Sequence, residues 1–287
     1  MTDLRFPTGA CDTHMHVYDH RRPVAPAAIL RPPDASVADY RLVQAELGLD
    51  RVVVVQPTTY GLDNRCTLDA VSAFGAAGRA VVVVDDGVPE SELDRLTGLG
   101  ARGARFHQLP GGAVAWEILP TVAARIARFG WHVQVQMNGR DLVDRHDLLA
   151  SLPVPVVIDH VGRYMPPVDP DDERFGVLLR LLDTGRVWVK LSAPYESAPD
   201  DTHRYEAVGR LVSALVGRAP DRMLWATNWP HPGQADPPSV AELGRSAFDW
   251  MPDAVLRRRI LVDNPAELYG FEPVVSVSRL PALEEPS

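Results

Sequence analysis

The chain has 287 residues, 46% of them apolar and 23% charged, which is enough apolar material for a large core and excludes a disulfide-stapled mini-protein, a coiled coil and a disordered tail. With 29 basic against 38 acidic side chains the net charge is −9, which excludes a nucleic-acid surface built on bulk basicity. An anionic small molecule must therefore be met by a local arginine cluster.

Short β-branched runs recur along the chain. The pattern predicts strands over 9–16, 52–55, 81–84, 101–106, 133–136, 154–158, 187–191 and 223–227. Helical segments are predicted between them at 37–47, 64–74, 115–129, 175–183 and 205–216. Buried strands alternating with amphipathic helices imply a parallel sheet with crossover helices. Eight such units over roughly 260 residues suit a (β/α)8 TIM barrel, with an open doubly wound sheet as the alternative. No linker divides the chain, so one α/β domain is expected over 1–287, with its core at about 9–270 and a tail at 271–287. The chain from Pro265 on reads as a C-terminal appendage. The aliphatic runs are strand-sized and too short to span a bilayer, and Met1 to Phe6 lacks a secretory apolar core. With only Cys11 and Cys66 present, a cytoplasmic protein with no membrane partner is expected.

Barrel chemistry collects at the C-terminal ends of the strands, so the polar residues there are the candidates. His14 and His16 alternate by two and share one face of the first strand. Thr58 and Tyr60 follow the second strand, Arg105 and His107 end the fourth, and Gln134 and Gln136 lie on the fifth. His160 and Arg163 follow the sixth strand; Asp159, one residue before His160, is expected on the opposite face. Lys190, Ser192 and Tyr195 belong to the seventh, and Asn228 and His231 follow the eighth. A guanidinium such as Arg105 inside an apolar strand suits a bound carboxylate, which it can grip bidentately. The string from Gly98 to Gly103 matches a dinucleotide-binding G-x-G-x-x-G but precedes a strand instead of following one, and is read as a turn. Nucleophile elbow, P-loop and H-E-x-x-H motifs are absent from the sequence.

Cys11-Asp-Thr-His-Met-His16, Val157-Ile-Asp-His160 with Gly162-Arg163, and Trp225-Ala-Thr-Asn-Trp-Pro-His-Pro232 together resemble the amidohydrolase superfamily, specifically its 2-pyrone-4,6-dicarboxylate lactonase-like branch. The resemblance implies a distorted (β/α)8 barrel. In the wider superfamily it also implies a metal site built from the first-strand H-x-H, a Lys or Glu, two further His and an Asp. Here His14, His16 and His160 match, while Arg105, amide side chains and Asn228 replace the rest. Zinc favours His, Cys and carboxylate ligands, so no metal and no other cofactor is expected.

In this branch the eighth-strand box carries an Asp that acts as general base on the hydrolytic water, whereas this chain has Asn228. An amide cannot take a proton at neutral pH, and a general base contributes about 10²–10⁴-fold to rate. An intramolecular hydroxyl reaches an effective molarity of about 10⁵–10⁸ M and can outcompete unactivated water. The pattern therefore resembles the branch's sugar-acid lactone isomerases. It implies conversion of D-galactaro-1,5-lactone to the 1,4-lactone in uronate catabolism, with an anionic sugar lactone as the only partner. His14, His16 and His160 would polarise the carbonyl and move protons. Arg105 and Arg163 would bind the free carboxylate, and Thr58, Tyr60, Gln136, Ser192, Asn228 and His231 would bind the remaining groups. Lactone hydrolysis, a metal-dependent amidohydrolase or decarboxylase, and an inactive sugar-acid binder are the alternatives. Oligomeric state and sugar stereochemistry are not encoded in these motifs.

Overall fold

The computed structural model describes residues 5–198 and 205–273. Eight strands form one parallel sheet in chain order: β1 (Cys11–Met15), β2 (Arg51–Val55), β3 (Gly78–Val82), β4 (Ala101–His107), β5 (His132–Gln136), β6 (Val156–Ile158), β7 (Val187–Leu191) and β8 (Met223–Trp225). Helices α1 (Val37–Leu47), α2 (Arg65–Phe74), α3 (Glu90–Gly98), α4 (Leu119–Ile126), α5 (His146–Ser151), α6 (Glu173–Asp183), α7 (Glu206–Arg218) and α8 (Val240–Trp250) follow the strands in turn. This is the (β/α)8 arrangement expected from the alternating pattern.

Past the ends of β8 and β1 the ring is joined by backbone and side-chain bonds. Asn228 N donates to His14 O at 2.9 Å, His16 N donates to Trp229 O at 2.8 Å, and Thr13 Oγ1 donates to Trp225 O at 2.8 Å. The buried Asp12 carboxylate reinforces this seam by accepting from Tyr40 Oη of α1 at 2.8 Å, from Thr227 N at 3.1 Å, from His14 N at 3.0 Å and from Thr227 Oγ1.

Two apolar layers surround the sheet. The larger lies between strands and helices and takes the outward strand residues, such as Met15, Val54, Val135 and Val189, with helix residues such as Tyr40, Leu93, Ile126 and Leu211. The smaller fills the barrel interior with Cys11, Val53, Val55, Val81, Val157, Trp188 and Leu224. Tyr269 and Phe271 belong to this inner layer, so residues 265–271 pack as part of the barrel and not as an appendage. Pro265 opens a helix, α9 (Asn264–Tyr269), whose end places Tyr269 edge-on to His132 with ring centroids 5.2 Å apart. His132 begins β5, so this plug closes the N-terminal mouth of the barrel and leaves the C-terminal mouth for chemistry. The remainder of the expected tail, 274–287, lies outside the described residues.

The Gly98–Gly103 string has a structural explanation. Gly98 ends α3, and Gly100 turns the chain at a φ of 97°. Gly103 leaves room for His132, whose Nε2 would lie 2.4 Å from any Cβ there.

Candidate active site

Asp12 pairs with Val52 and Met15 with Val54, so β1 carries one residue more than β2 across this stretch. Such a bulge re-aims side chains at a barrel rim. Here it sets the fully buried His14 and His16 together, with their Nε2 atoms 3.2 Å apart, on the shared face that the two-residue spacing predicts. His16 Nδ1 lies 2.8 Å from Val55 O. A carbonyl oxygen can only accept, so Nδ1 carries the proton and Nε2 of the neutral ring is bare. Burial, and then the Lys190 charge for His14 and the Arg105 charge for His16, push both rings well below the ordinary histidine range.

The sixth strand departs from simple alternation. Asp159 and His160 do not face opposite sides: Asp159 Oδ1 lies 3.3 Å from His14 Nδ1, and the His14 and His160 ring centroids are 4.8 Å apart. The cause is backbone geometry, because His160 and Val161 adopt left-handed φ values of 54° and 55° and turn the imidazole back over the barrel. His160 Nδ1 pairs with Ser192 Oγ at 2.9 Å, and burial draws this imidazole down to about 4. The Ser192 hydroxyl can donate or accept, so it supports either tautomer of His160.

A cavity of about 50 Å³ opens at this end of the barrel, and His16, His160, Arg105, Thr58, Gln136 and Asn228 line it as expected from their strand-end positions. Arg105 donates from its terminal nitrogens to Gln56 O and Gln136 Oε1, each at 2.7 Å, while its buried Nε has no partner. It makes no salt bridge among the described residues. A buried guanidinium with an unused donor on a cavity wall has the chemistry to meet an anion. Asn228, at a φ of 59°, donates from Nδ2 to Tyr195 Oη at 2.9 Å, and its buried Oδ1 has no partner.

Four expected contact residues, and His14 of the three expected catalytic ones, are not on the cavity wall. Tyr60 is committed to the loop after β1: its hydroxyl accepts from Asp19 N at 2.8 Å and meets Asp19 O at 3.2 Å. Arg163 pairs with Glu196 through Nε and Oε2 at 2.8 Å, so its charge is already matched. Ser192 supports His160, and His231 Nδ1 lies 2.9 Å from Tyr195 Oη, behind Asn228. Two polar wall residues escaped sequence reasoning. Tyr18 continues the alternation of His14 and His16 by one more step, a usable signal. Glu196 follows Tyr195 in the loop after β7 and carries no such signal. His107, also on the wall, meets Gln136 Oε1 at 3.2 Å.

An amidohydrolase family model matches residues 11–271. The chain belongs to the amidohydrolase family. It is 36% identical to the D-galactarolactone isomerase of Agrobacterium fabrum (strain C58 / ATCC 33970) over 94% of each chain. It is 35% identical to a 2-pyrone-4,6-dicarboxylate hydrolase of Comamonas testosteroni over 94% of this chain and 93% of that one. Among solved structures, the apo crystal structure of an Agrobacterium tumefaciens protein superposes with a TM-score of 0.89 at 36% identity, covering 94% of this chain and 98% of that one.

The metal that this amidohydrolase's wider superfamily implies does not fit the residues present. The β4 position holds Arg105, β5 presents the amides Gln134 and Gln136, and Asn228 follows β8. Asp159 does gather with His14 and His160 closely enough to be considered. However, the fully buried Lys190 ammonium stands 3.5 Å from Asp159 Oδ1 and 3.3 Å from His14 Nδ1, so a divalent ion there would meet a cation already in place. Burial pushes Asp159 up, but the Lys190 ammonium beside it holds it below the ordinary carboxylate range.

Proposed function

We propose that this chain acts on lactones, and specifically that it isomerises a sugar-diacid lactone, D-galactaro-1,5-lactone to the 1,4-lactone, without a metal. Asn228 carries the reading. Its amide stands where hydrolysis requires a base, and its one unpartnered atom, Oδ1, is an acceptor on the cavity wall. Oδ1 can align a substrate hydroxyl but cannot deprotonate water. The 36% identical isomerase supports the same substrate class.

In this mechanism Arg105 Nε–H takes the substrate's free carboxylate, and Thr58 and Gln136 bind hydroxyls. A substrate hydroxyl attacks the lactone carbonyl carbon while His160 Nε2 accepts its proton, forming the new C–O bond. The tetrahedral oxyanion is stabilised by the positive field of Arg105 on the same wall. Collapse breaks the original ring C–O bond, and His160 returns the proton to the departing oxygen. No water is consumed.

The hydrolase relative at 35% identity favours a second reading, in which a histidine activates water. Following the products from D-galactaro-1,5-lactone by proton NMR in H₂¹⁸O separates the two. Isomerisation yields the 1,4-lactone with no ¹⁸O in the first product, whereas an open diacid carrying ¹⁸O would establish hydrolysis. Restoring the base with Asn228→Asp should raise hydrolysis relative to isomerisation, by up to about 10²–10⁴-fold. An unchanged product ratio would sink the role assigned to Asn228.

A further inference from the structure

Two full charges lie packed behind the cavity wall, Lys190 on β7 and Asp159 after β6, and both are fully buried. Lys190 Nζ donates to Gln134 Oε1 at 2.7 Å, and Gln134 Nε2 donates to Asp159 Oδ2 at 3.0 Å. The remaining contacts of the ammonium are His14 Nδ1 at 3.3 Å and Asp159 Oδ1 at 3.5 Å.

This arrangement decides where His14 keeps its proton. His16 Nε2 is bare because Nδ1 donates to Val55 O, and the two Nε2 atoms are 3.2 Å apart, so His14 must donate from Nε2. Neutral His14 then turns a bare Nδ1 toward the Asp159 carboxylate at 3.3 Å. A lone pair facing an anion is repulsive unless a donor serves both; Gln134 Nε2, 3.5 Å from His14 Nδ1 and 3.0 Å from Asp159 Oδ2, does so as a neutral amide, and Lys190 does so with a full positive charge. We infer that Lys190 is a positioning residue, the site's built-in cation, whose ammonium holds His14 in its Nε2-protonated tautomer and fills the charge role of a divalent ion beside Asp159.

The same geometry states what happens without it. With no ammonium, His14 Nδ1 gains a proton and donates to Asp159, which leaves two bare Nε2 atoms 3.2 Å apart. A carboxylate–histidine pair with its other nitrogen free is the usual support of a bound zinc. Two nitrogens at this separation can both reach an ion at about 2.0–2.1 Å in near-tetrahedral geometry. Lys190 donates to Gln134 Oε1 at 2.7 Å and stands 3.5 Å from the Asp159 carboxylate, the surroundings of an ammonium.

The test compares wild type with Lys190→Met, each incubated with zinc chloride, gel-filtered and analysed for metal, with histidine tautomers read by long-range ¹H–¹⁵N NMR on the zinc-free proteins. Wild type should retain well under one zinc per chain and show His14 protonated at Nε2. Lys190→Met should retain more zinc than wild type and, zinc-free, show His14 protonated at Nδ1. Wild type holding one zinc per chain, or folded Lys190→Met still protonated at His14 Nε2 or retaining no more zinc than wild type, overturns the inference. Should Lys190→Met not fold, the wild-type spectrum decides: a proton on His14 Nδ1 overturns it. The kinetic arm rests on the isomerase reading. Zinc-free Lys190→Met should lose about 10–100-fold in kcat with KM little changed, and an unchanged kcat counts against the inference. The metal and NMR arms need no substrate, so their outcome is independent of which lactone reaction the chain performs.

Discussion

At the level of single residues, the site consists of imidazoles that the fold keeps neutral. Burial draws His160 to about 4 and His107 to about 3, and pushes His14 and His16 well below 6.5. Only the neutral form of His160 can accept the attacking hydroxyl's proton, so the acid limb of kcat/KM should lie near 4 and not at the ordinary 6.5. Stability has the related sign. The folded value lies below the unfolded one, so the unfolded chain binds the proton first; stability is full above about 6.5 and declines as pH falls toward about 4. A pH–rate profile together with melting curves checks both, and an acid limb at 6.5 would show that His160 is not the buried base described. The H-x-H was legible because two-residue alternation survives along β1, and Arg105 because a guanidinium is conspicuous in an apolar strand. Asp159 was misplaced because alternation was carried through His160, where the left-handed backbone ends it. Tyr60 and Arg163 were misassigned because Asp19 and Glu196, their partners, arrive from other loops. Spacing reveals which strand end a residue occupies but not which neighbouring loop will engage it.

At the level of elements, strands were more legible than helices. The Val-rich runs identify themselves, and β7 was found to the residue. Helix α3 buries only Leu93 and Leu96 and has little apolar periodicity to find. α8 does carry a readable signal, the Ser239–Glu242 capping box. The seam between β8 and β1 was invisible in sequence, because it depends on Asp12 meeting Tyr40 and Thr227 from distant segments. Asp12 is raised by burial yet surrounded by donors, with Thr227 the strongest. Replacing it with Ala leaves those buried donors unpaired, and hydrogen bonds to a charged acceptor contribute about 1.5–3 kcal/mol each. We therefore expect Asp12→Ala to cost about 3 kcal/mol or more in denaturant unfolding. Because Asn228 N and His16 N bond across the same seam, activity should fall further than the remaining folded fraction. A melting curve within about 1 kcal/mol of wild type would show that the backbone bonds alone hold the ring.

At the level of the whole molecule, the barrel has two differently finished ends. One is polar and holds the cavity; the other is sealed by the chain's own C-terminal segment. Phe271 is 5% exposed, Arg79 lies over its ring at 4.4 Å and Arg51 at 5.3 Å. Arg79 also donates to Tyr269 O at 3.1 Å and Gly270 O at 2.7 Å, and Arg51 donates to Glu272 O, so both guanidinia tie the segment under β2 and β3. The seal covers the apolar interior that Cys11, Val53 and Trp188 would otherwise present to water. Phe271→Ala removes a buried ring and two cation–π contacts, and such truncations cost about 3–5 kcal/mol. The cavity lies at the opposite ends of the strands, so the effect should separate from catalysis. The variant should melt well below wild type while kcat and KM, measured where it is fully folded, stay within about 2-fold, an effect under 0.5 kcal/mol. An unaltered melting temperature would mean that the segment rests on the barrel without sealing it. A large loss of kcat in the folded variant would mean that the inner layer transmits strain from His132 to Gln134 and Lys190, tying the stability of one end to the chemistry of the other.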